Sequence, residues 1–393
     1  MTAKYPLIDC DTHCYETFDA CTRYLPREFE QWAMRPVRNA DGIWEVRAGD
    51  VEATIVNEGG MGWDYAYRPG SLKEMLRQMA SGNPDEAYEP EPMRAEWIER
   101  APREALMDTF GVEKAILFPA GMGMGAEHYI ADTPAMYANM NSFNRWYDET
   151  WGFAGPRIYA APIVSLRDLD SAIDMAEFAI DRGAKFVFLP TGPVNGRSPG
   201  DTYFDPVWSR LDEAGITLCL HIQITEYFRA LSPLWGMDPD PRSWHMSAWQ
   251  WMNVMGERAV IDMVSALIFD NLFGRFPNLR MLIAENGAEW VPGTLVHMDK
   301  ARGMGRNGPW KGGKLTEKPS NIFKKHCLVT PYPEDDIVGL VEQLGGPNCL
   351  VMGSDFPHAE GVAEPAEFAR LLGGLSDADQ YAILRGNAEA LFV

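Results

Sequence analysis

The stretch YPLIDCDTHCYE, residues 5–16, reads as a β-strand that ends in ionisable side chains. Residues 5–11 form a short, largely apolar run of the kind that makes a buried strand. Alternate side chains of an extended chain share a face, so Asp11 and His13 project to one side, with Asp9 lower on the same face. A carboxylate and an imidazole thus converge where the strand ends. One Asp-x-His is weak evidence of chemistry, and an ordinary hydrogen-bonded pair would account for it. Recurrence along the chain decides whether it means more.

The pattern does recur. Further candidate strands lie at 114–118, 157–164, 184–190, 216–222, 280–285, 326–331 and 349–355. Helical patterns accompany most of them: 95–110 closed by Gly111, 168–182 closed by Gly183, 206–214 before Gly215, 258–273, and 334–344. Strands alternating with helices predict parallel crossover units, and eight such strands close a (β/α)₈ barrel. The expected fold is therefore an α/β TIM barrel, one domain over residues 1–393. Two long stretches, about 17–95 after the first strand and about 223–255 after the fifth, interrupt the alternation. Both follow strands, which places them as lids at the C-terminal face, where barrels carry their active sites. Within the first, 42–55 alternates about a turn at Gly49-Asp50, as a hairpin would. The second is dense in large side chains, among them Tyr227, Phe228, Trp235, Trp244, Trp249 and Trp251. Such a cluster is either plain core or the wall of a site for a substrate with a bulky apolar part. Residues 307–318 read as a surface loop.

Composition narrows the partners. The chain has 393 residues, 46% of them hydrophobic, which suits one large barrel with insertions or two ordinary domains. Its 35 Lys and Arg against 56 Asp and Glu give a formal charge of −21. That field repels phosphate backbones and anionic headgroups, so neither nucleic acid nor a membrane is an expected partner. No run reaches the roughly 18 apolar residues of a membrane span, and the start has no leader pattern. The six cysteines, at 10, 14, 21, 219, 327 and 349, include no CxxC pair and are expected to be free thiols of a cytoplasmic protein.

The chemistry gathers at strand ends. His221 closes the fifth strand, Glu285 the sixth, and Asp355 the eighth, within Gly-Ser-Asp-Phe-Pro-His. Bringing these groups to Asp11 and His13 in a barrel mouth is costly unless something offsets their desolvation. A divalent cation (Zn, Mn or Fe, one or two per chain) does so, because it attracts the carboxylates and accepts the imidazole lone pairs. Glu16 is close enough to be a further ligand or a hydrogen-bonded partner. His358 either orients Asp355 or contacts substrate. His245 could reach the mouth but is as readily a surface residue, His326 reads as structural, and His128 and His297 receive no role.

These motifs resemble the amidohydrolase superfamily, most closely its amidohydrolase-2 branch, which includes aminocarboxymuconate-semialdehyde and resorcylate-type decarboxylases. The resemblance rests on Asp-x-His in strand 1, His221, the Gly-Ser-Asp-Phe-Pro-His motif and the tail from Leu375 to Phe392. It implies that Asp11, His13, His221 and Asp355 are metal ligands, and members of the branch are often dimers. The chain departs from the superfamily in three places. Asp11 stands where the usual motif has histidine. The fourth strand has only Lys185, at its far end, so a bridging carboxylated lysine is not expected. The sixth strand ends in Glu285 instead of histidine, leaving Glu285 as ligand, bridge between two metals, or general base.

The first functional expectation is hydrolysis of an ester, thioester or amide-like carbonyl by metal-activated water, with Asp355 or Glu285 taking the proton. A likeness to the carboxylate-rich sites of diterpenoid acyl-CoA thioesterases makes a thioester the specific form of it. The alternative is non-oxidative decarboxylation of an aromatic or unsaturated acid, against which the missing strand-6 histidine argues. A non-catalytic metal- or ligand-binding barrel is the third reading.

Overall fold

The protein was studied as a computed structural model, which describes residues 4–56, 63–81 and 90–392. Strands β1 (Leu7–Cys14), β2 (Val112–Pro119) and β3 (Ile158–Ala160) form one parallel sheet in that order. Strands β4 (Phe186–Phe188), β5 (Thr217–His221), β6 (Arg280–Ala284) and β7 (Cys327–Val329) form a second, also parallel. Single bridges join the two. Ile163 pairs with Phe188, Leu350 with Val329, and Phe356 with Thr12. Around the last seam Cys10 N donates to Met352 O (3.0 Å), Asp355 N to Asp11 O (2.8 Å) and His13 N to Phe356 O (2.8 Å). With these links the ring of eight closes, and the chain is a TIM barrel.

The expected eighth strand, 349–355, occupies its place without regular strand pairing. A left-handed Asp355 (φ 57°) breaks the extended repeat. Gly353 is there for space: a Cβ on it would lie 2.6 Å from the Cβ of Asp11 and 2.9 Å from Thr330. The third strand is shorter than expected because Pro162 has no N–H to pair. His326 is the last residue of a helix (Pro319–His326) and not the start of a strand. Its Nδ1 donates to Leu279 O (2.9 Å), a structural contact.

Most crossover helices fall where the periodicity placed them: Leu169–Asp181, Asp205–Glu213, Glu257–Phe269 and Ile337–Leu344. The 95–110 pattern is broken at Glu99, which is extended (φ −131°, ψ 140°). The two longest helices, Thr133–Thr150 and Trp290–Met304, are among those not expected. The first carries a start signal, Asp132 accepting from Ala135 N with proline in the first turn, but it is buried so widely that no apolar stripe stands out.

The first insertion holds a three-stranded antiparallel sheet, Met34–Arg38, Trp44–Ala48 and Val51–Glu52. The hairpin expected at 42–55 is its latter part, turning at Gly49-Asp50; the strand before it was not expected. The second insertion is made of short helical turns. Of its large side chains, Phe228 is core, Trp251 lines a cavity, and Trp235 and Met252 face solvent; the side chain of Trp244 lies outside the described residues. All six cysteines are buried and free. Among the described residues no helix is long and apolar enough to cross a membrane.

Candidate metal centre and active site

Four barrel segments deliver five groups to one point. Asp11 and His13 come from β1, His221 is the last residue of β5, Glu285 follows β6 directly, and Asp355 lies at the end of the eighth segment, 349–355. His13 Nε2 lies 3.4 Å from Asp11 Oδ1, 3.3 Å from Asp355 Oδ1 and 3.6 Å from Glu285 Oε2. His221 Nε2 lies 3.0 Å from Glu285 Oε2, 3.4 Å from Asp11 Oδ1 and 3.0 Å from His13 Nε2. The Nδ1 of His221 is bonded to the Ile222 carbonyl (2.8 Å), which leaves Nε2 for the cluster. Potential ligand atoms form two overlapping groups within 4.8 Å, Asp11–His13–His221 and His13–Glu285–Asp355–His358, sharing His13.

The backbone is held out of its ordinary range to make this geometry. Glu285 (φ 47°) and Asp355 (φ 57°) are left-handed. The other described non-glycine residues of this kind are Asn195 and Asn271, a type that adopts the conformation readily. A glutamate does not, and such strain typically persists where a site needs it. Glu285 is pinned from both sides: its N–H donates to Thr330 Oγ1 (3.1 Å) and its carbonyl accepts from the Tyr332 hydroxyl (2.8 Å).

These residues fit a divalent cation. Asp11 Oδ1, both oxygens of Asp355 and His13 Nδ1 are buried without a hydrogen-bond partner. Two imidazole lone pairs and three carboxylates cannot face one another at these distances without a proton or a metal between them. The charge balance without metal makes the same point. Burial, and then the Glu285 charge, push the Asp355 carboxyl well up. Burial works against a charge on His221, yet the Glu285 and Asp11 carboxylates outweigh it and push its pKa well up. The site takes up protons where it lacks another positive charge.

Glu16 stands apart. Its Oε1 accepts from Gly121 N (3.0 Å) and Met122 N (3.1 Å), at the start of the helix Met122–Tyr129, so it caps that helix instead of joining the cluster. His358 is brought in more closely than expected. Its Nδ1 lies 3.1 Å from Asp355 Oδ1 and its ring stacks on His13 with centroids 4.0 Å apart. His245 is exposed. His128, given no role, ties the two insertions' surroundings together through Asp240 (2.8 Å).

Above the cluster opens a cavity of about 270 Å³. His13, His221, Glu285 and His358 form its floor, and Trp44, Trp63 and Trp251 belong to its walls. Both insertions therefore cover the C-terminal mouth.

The family model described as amidohydrolase matches residues 8–393. The chain belongs to the amidohydrolase family. An amidohydrolase from Mycobacterium avium subsp. paratuberculosis K-10 is 31% identical, with full coverage of both chains and a TM-score of 0.86. The fold is shared with 2,6-dihydroxybenzoate decarboxylase from Rhizobium (14% identity, 99% of this chain and 98% of that one, TM-score 0.61). It is also shared with 5-carboxyvanillate decarboxylase from Novosphingobium aromaticivorans (16%, 100% and 97%, 0.63). No curated protein matches the chain.

In this amidohydrolase two supporting residues escaped the sequence reading. Arg103, buried on the helix Arg100–Phe110, donates to the carbonyls of His13 (2.7 Å) and Glu96 (2.6 Å). A lone arginine inside a helical pattern gives no signal. Tyr332, which holds Glu285, does give one, since it follows a strand end at the C-terminal face.

Proposed function

We propose that this amidohydrolase is a divalent-metal-dependent, non-oxidative decarboxylase of an aromatic or unsaturated carboxylic acid. The observation that carries the reading is the cavity: about 270 Å³, walled by tryptophans and ending on the His/Asp/Glu cluster. That is room for a single ring bearing a carboxylate. The relatives of like fold whose names state a reaction, 2,6-dihydroxybenzoate and 5-carboxyvanillate decarboxylases, support it. Three of the related structures hold manganese with a nitro-substituted phenol or benzoate.

In this reading Asp11, His13, His221, Glu285 and Asp355 hold the metal. The ion, when bound, supplies the positive charge that anchors a substrate carboxylate and an adjacent oxygen. Asp355 carries the proton: it delivers it to the ring carbon as the C–C bond breaks and CO₂ leaves with its two oxygens. His358 lies beside it, with Nδ1 3.1 Å from Oδ1. Glu285 occupies the strand-6 position where the resembled decarboxylases have histidine, and its 3.0 Å approach to His221 favours a ligand role over that of a free base.

Hydrolysis of an uncharged ester or amide is the second reading, favoured by the name of the 31% identical relative. The thioester form of it has no support in the cavity, which offers an acyl-CoA's phosphates no lysine or arginine among the described lining residues. Manganese-loaded protein incubated with hydroxybenzoic acids in D₂O separates the two. Decarboxylation releases CO₂ and leaves deuterium on the ring; no CO₂ from any such acid, with ester cleavage under the same conditions, would sink the proposal.

A further inference from the structure

The cavity that ends on the metal centre is lined by Glu16, Glu285 and Glu360, and by no lysine or arginine among the described residues. The stretches 57–62 (NEGGMG) and 82–89 (GNPDEAYE) contain no basic residue either. We propose that the site selects a monoanionic substrate: one carboxylate meets the metal centre, and the rest of the molecule is apolar or neutral. The inference rests on the reading that the centre anchors a substrate carboxylate, and goes beyond it by fixing what the other end must be.

Charge at the floor points the same way. With Asp355 carrying a proton, Asp11 and Glu285 balance the charge of one divalent ion, so the centre has no excess attraction for a second anionic group. Cations near the mouth are directed elsewhere. Arg38 lies over the Trp44 ring (4.7 Å) but is exposed, does not line the cavity, and pairs with Asp64 (3.8 Å). Arg242 pairs with Glu52 (2.8 Å).

What the wall does offer is neutral. Gln223 spends its Nε2 on the Leu189 carbonyl and Thr191 Oγ1 (2.9 Å each), leaving its buried Oε1 without a partner. That oxygen accepts from a hydroxyl and repels an anion. The buried indole N–H of Trp44 likewise lacks a partner and can give to a neutral oxygen. Against tryptophan walls, a distal carboxylate would be desolvated with no lysine or arginine to neutralise it.

The test uses a matched pair on the manganese-loaded full chain: 5-carboxyvanillate, and its methyl ester at the carboxylate para to the hydroxyl. Both keep a carboxylate next to the phenol, and they differ in the far charge. Calorimetry should show the ester binding on the order of 100-fold tighter than the dianion, the factor expected for a buried charge left unpaired. Ser243→Arg, which adds a cation to the wall, should narrow that gap. Equal or tighter binding of the dianion, binding of neither compound, or an unchanged gap in a folded Ser243→Arg protein would each overturn the inference. Tight binding of the ester without CO₂ release leaves the charge selection standing and removes decarboxylation instead.

Discussion

The floor of the cavity and its wall are held in place by different means. Each floor group sits on or beside a barrel strand, fixed by hydrogen bonds such as Asp355 N to Asp11 O and Glu285 N to Thr330 Oγ1. The wall comes from insertions whose strands span two to five residues and whose anchors are side chains. Tyr129 OH accepts from Ile55 N (2.9 Å), Asn139 Oδ1 from Met34 N (2.8 Å), and His128 holds Asp240. A rigid barrel can position reacting groups while loops of this kind vary to set what fits. The floor should therefore govern metal and turnover, and the wall affinity alone.

The strongest way to break this division is at His221. In His221→Ala, metal content by mass spectrometry should collapse and turnover should fall by about 10³-fold or more, since a metal typically contributes several kcal/mol of transition-state stabilisation. Stripping metal from the wild type with a chelator should reproduce the loss and lower the melting temperature, because only the folded chain presents the site. Full metal and full activity in the variant would remove His221 from the centre.

Glu285→Gln is the next largest. It keeps the shape and removes the charge 3.0 Å from His221, so metal stoichiometry should drop and turnover fall about 100-fold. A protein that retains its metal and loses turnover alone would make Glu285 a base.

How much of this was legible follows the same division. Asp11, His13, His221 and Asp355 could be read because strand periodicity and strand ends are local signals, and the barrel converts them into one point in space. Glu16 stayed open between ligand and hydrogen-bonded partner because three residues of separation does not reveal that its oxygens are taken by the N–H groups of Gly121 and Met122. The tryptophans of the second insertion were visible as a cluster, yet Trp251 faces the cavity and Trp235 faces solvent, a choice set by tertiary packing. Trp44 and Trp63 had only the placement of the first insertion as a lid to point to them, with no aromatic cluster to single them out.

Trp63 tests the wall directly. Trp63→Ala removes a ring that packs on Phe18 (centroids 5.6 Å) and lines the cavity. KM should rise about 10-fold, in keeping with the few kcal/mol a buried aromatic face contributes, while metal content stays the same. Loss of metal in this variant would mean that floor and wall are one cooperative unit.

The smallest effect lies at Glu127, on the helix that joins the two regions, and it concerns stability. Its carboxyl is buried, one oxygen lacks a partner, and it faces Arg167 (3.6 Å), Ser165 and Glu226. Burial pushes its pKa up to about 7, with Arg167 pulling the other way. A folded-state value above the unfolded one means the native chain holds a proton that the unfolded chain has released. Stability is therefore lost as pH rises from about 4.5 towards 7, and the cost is complete above that. Glu127→Gln carries no such charge, so it should match the wild type near pH 5 and exceed it by about 1–3 kcal/mol near pH 8. Urea midpoints at the two pH values decide it. A variant less stable than the wild type at the higher pH would show that the ion pair with Arg167 outweighs the burial of the carboxylate.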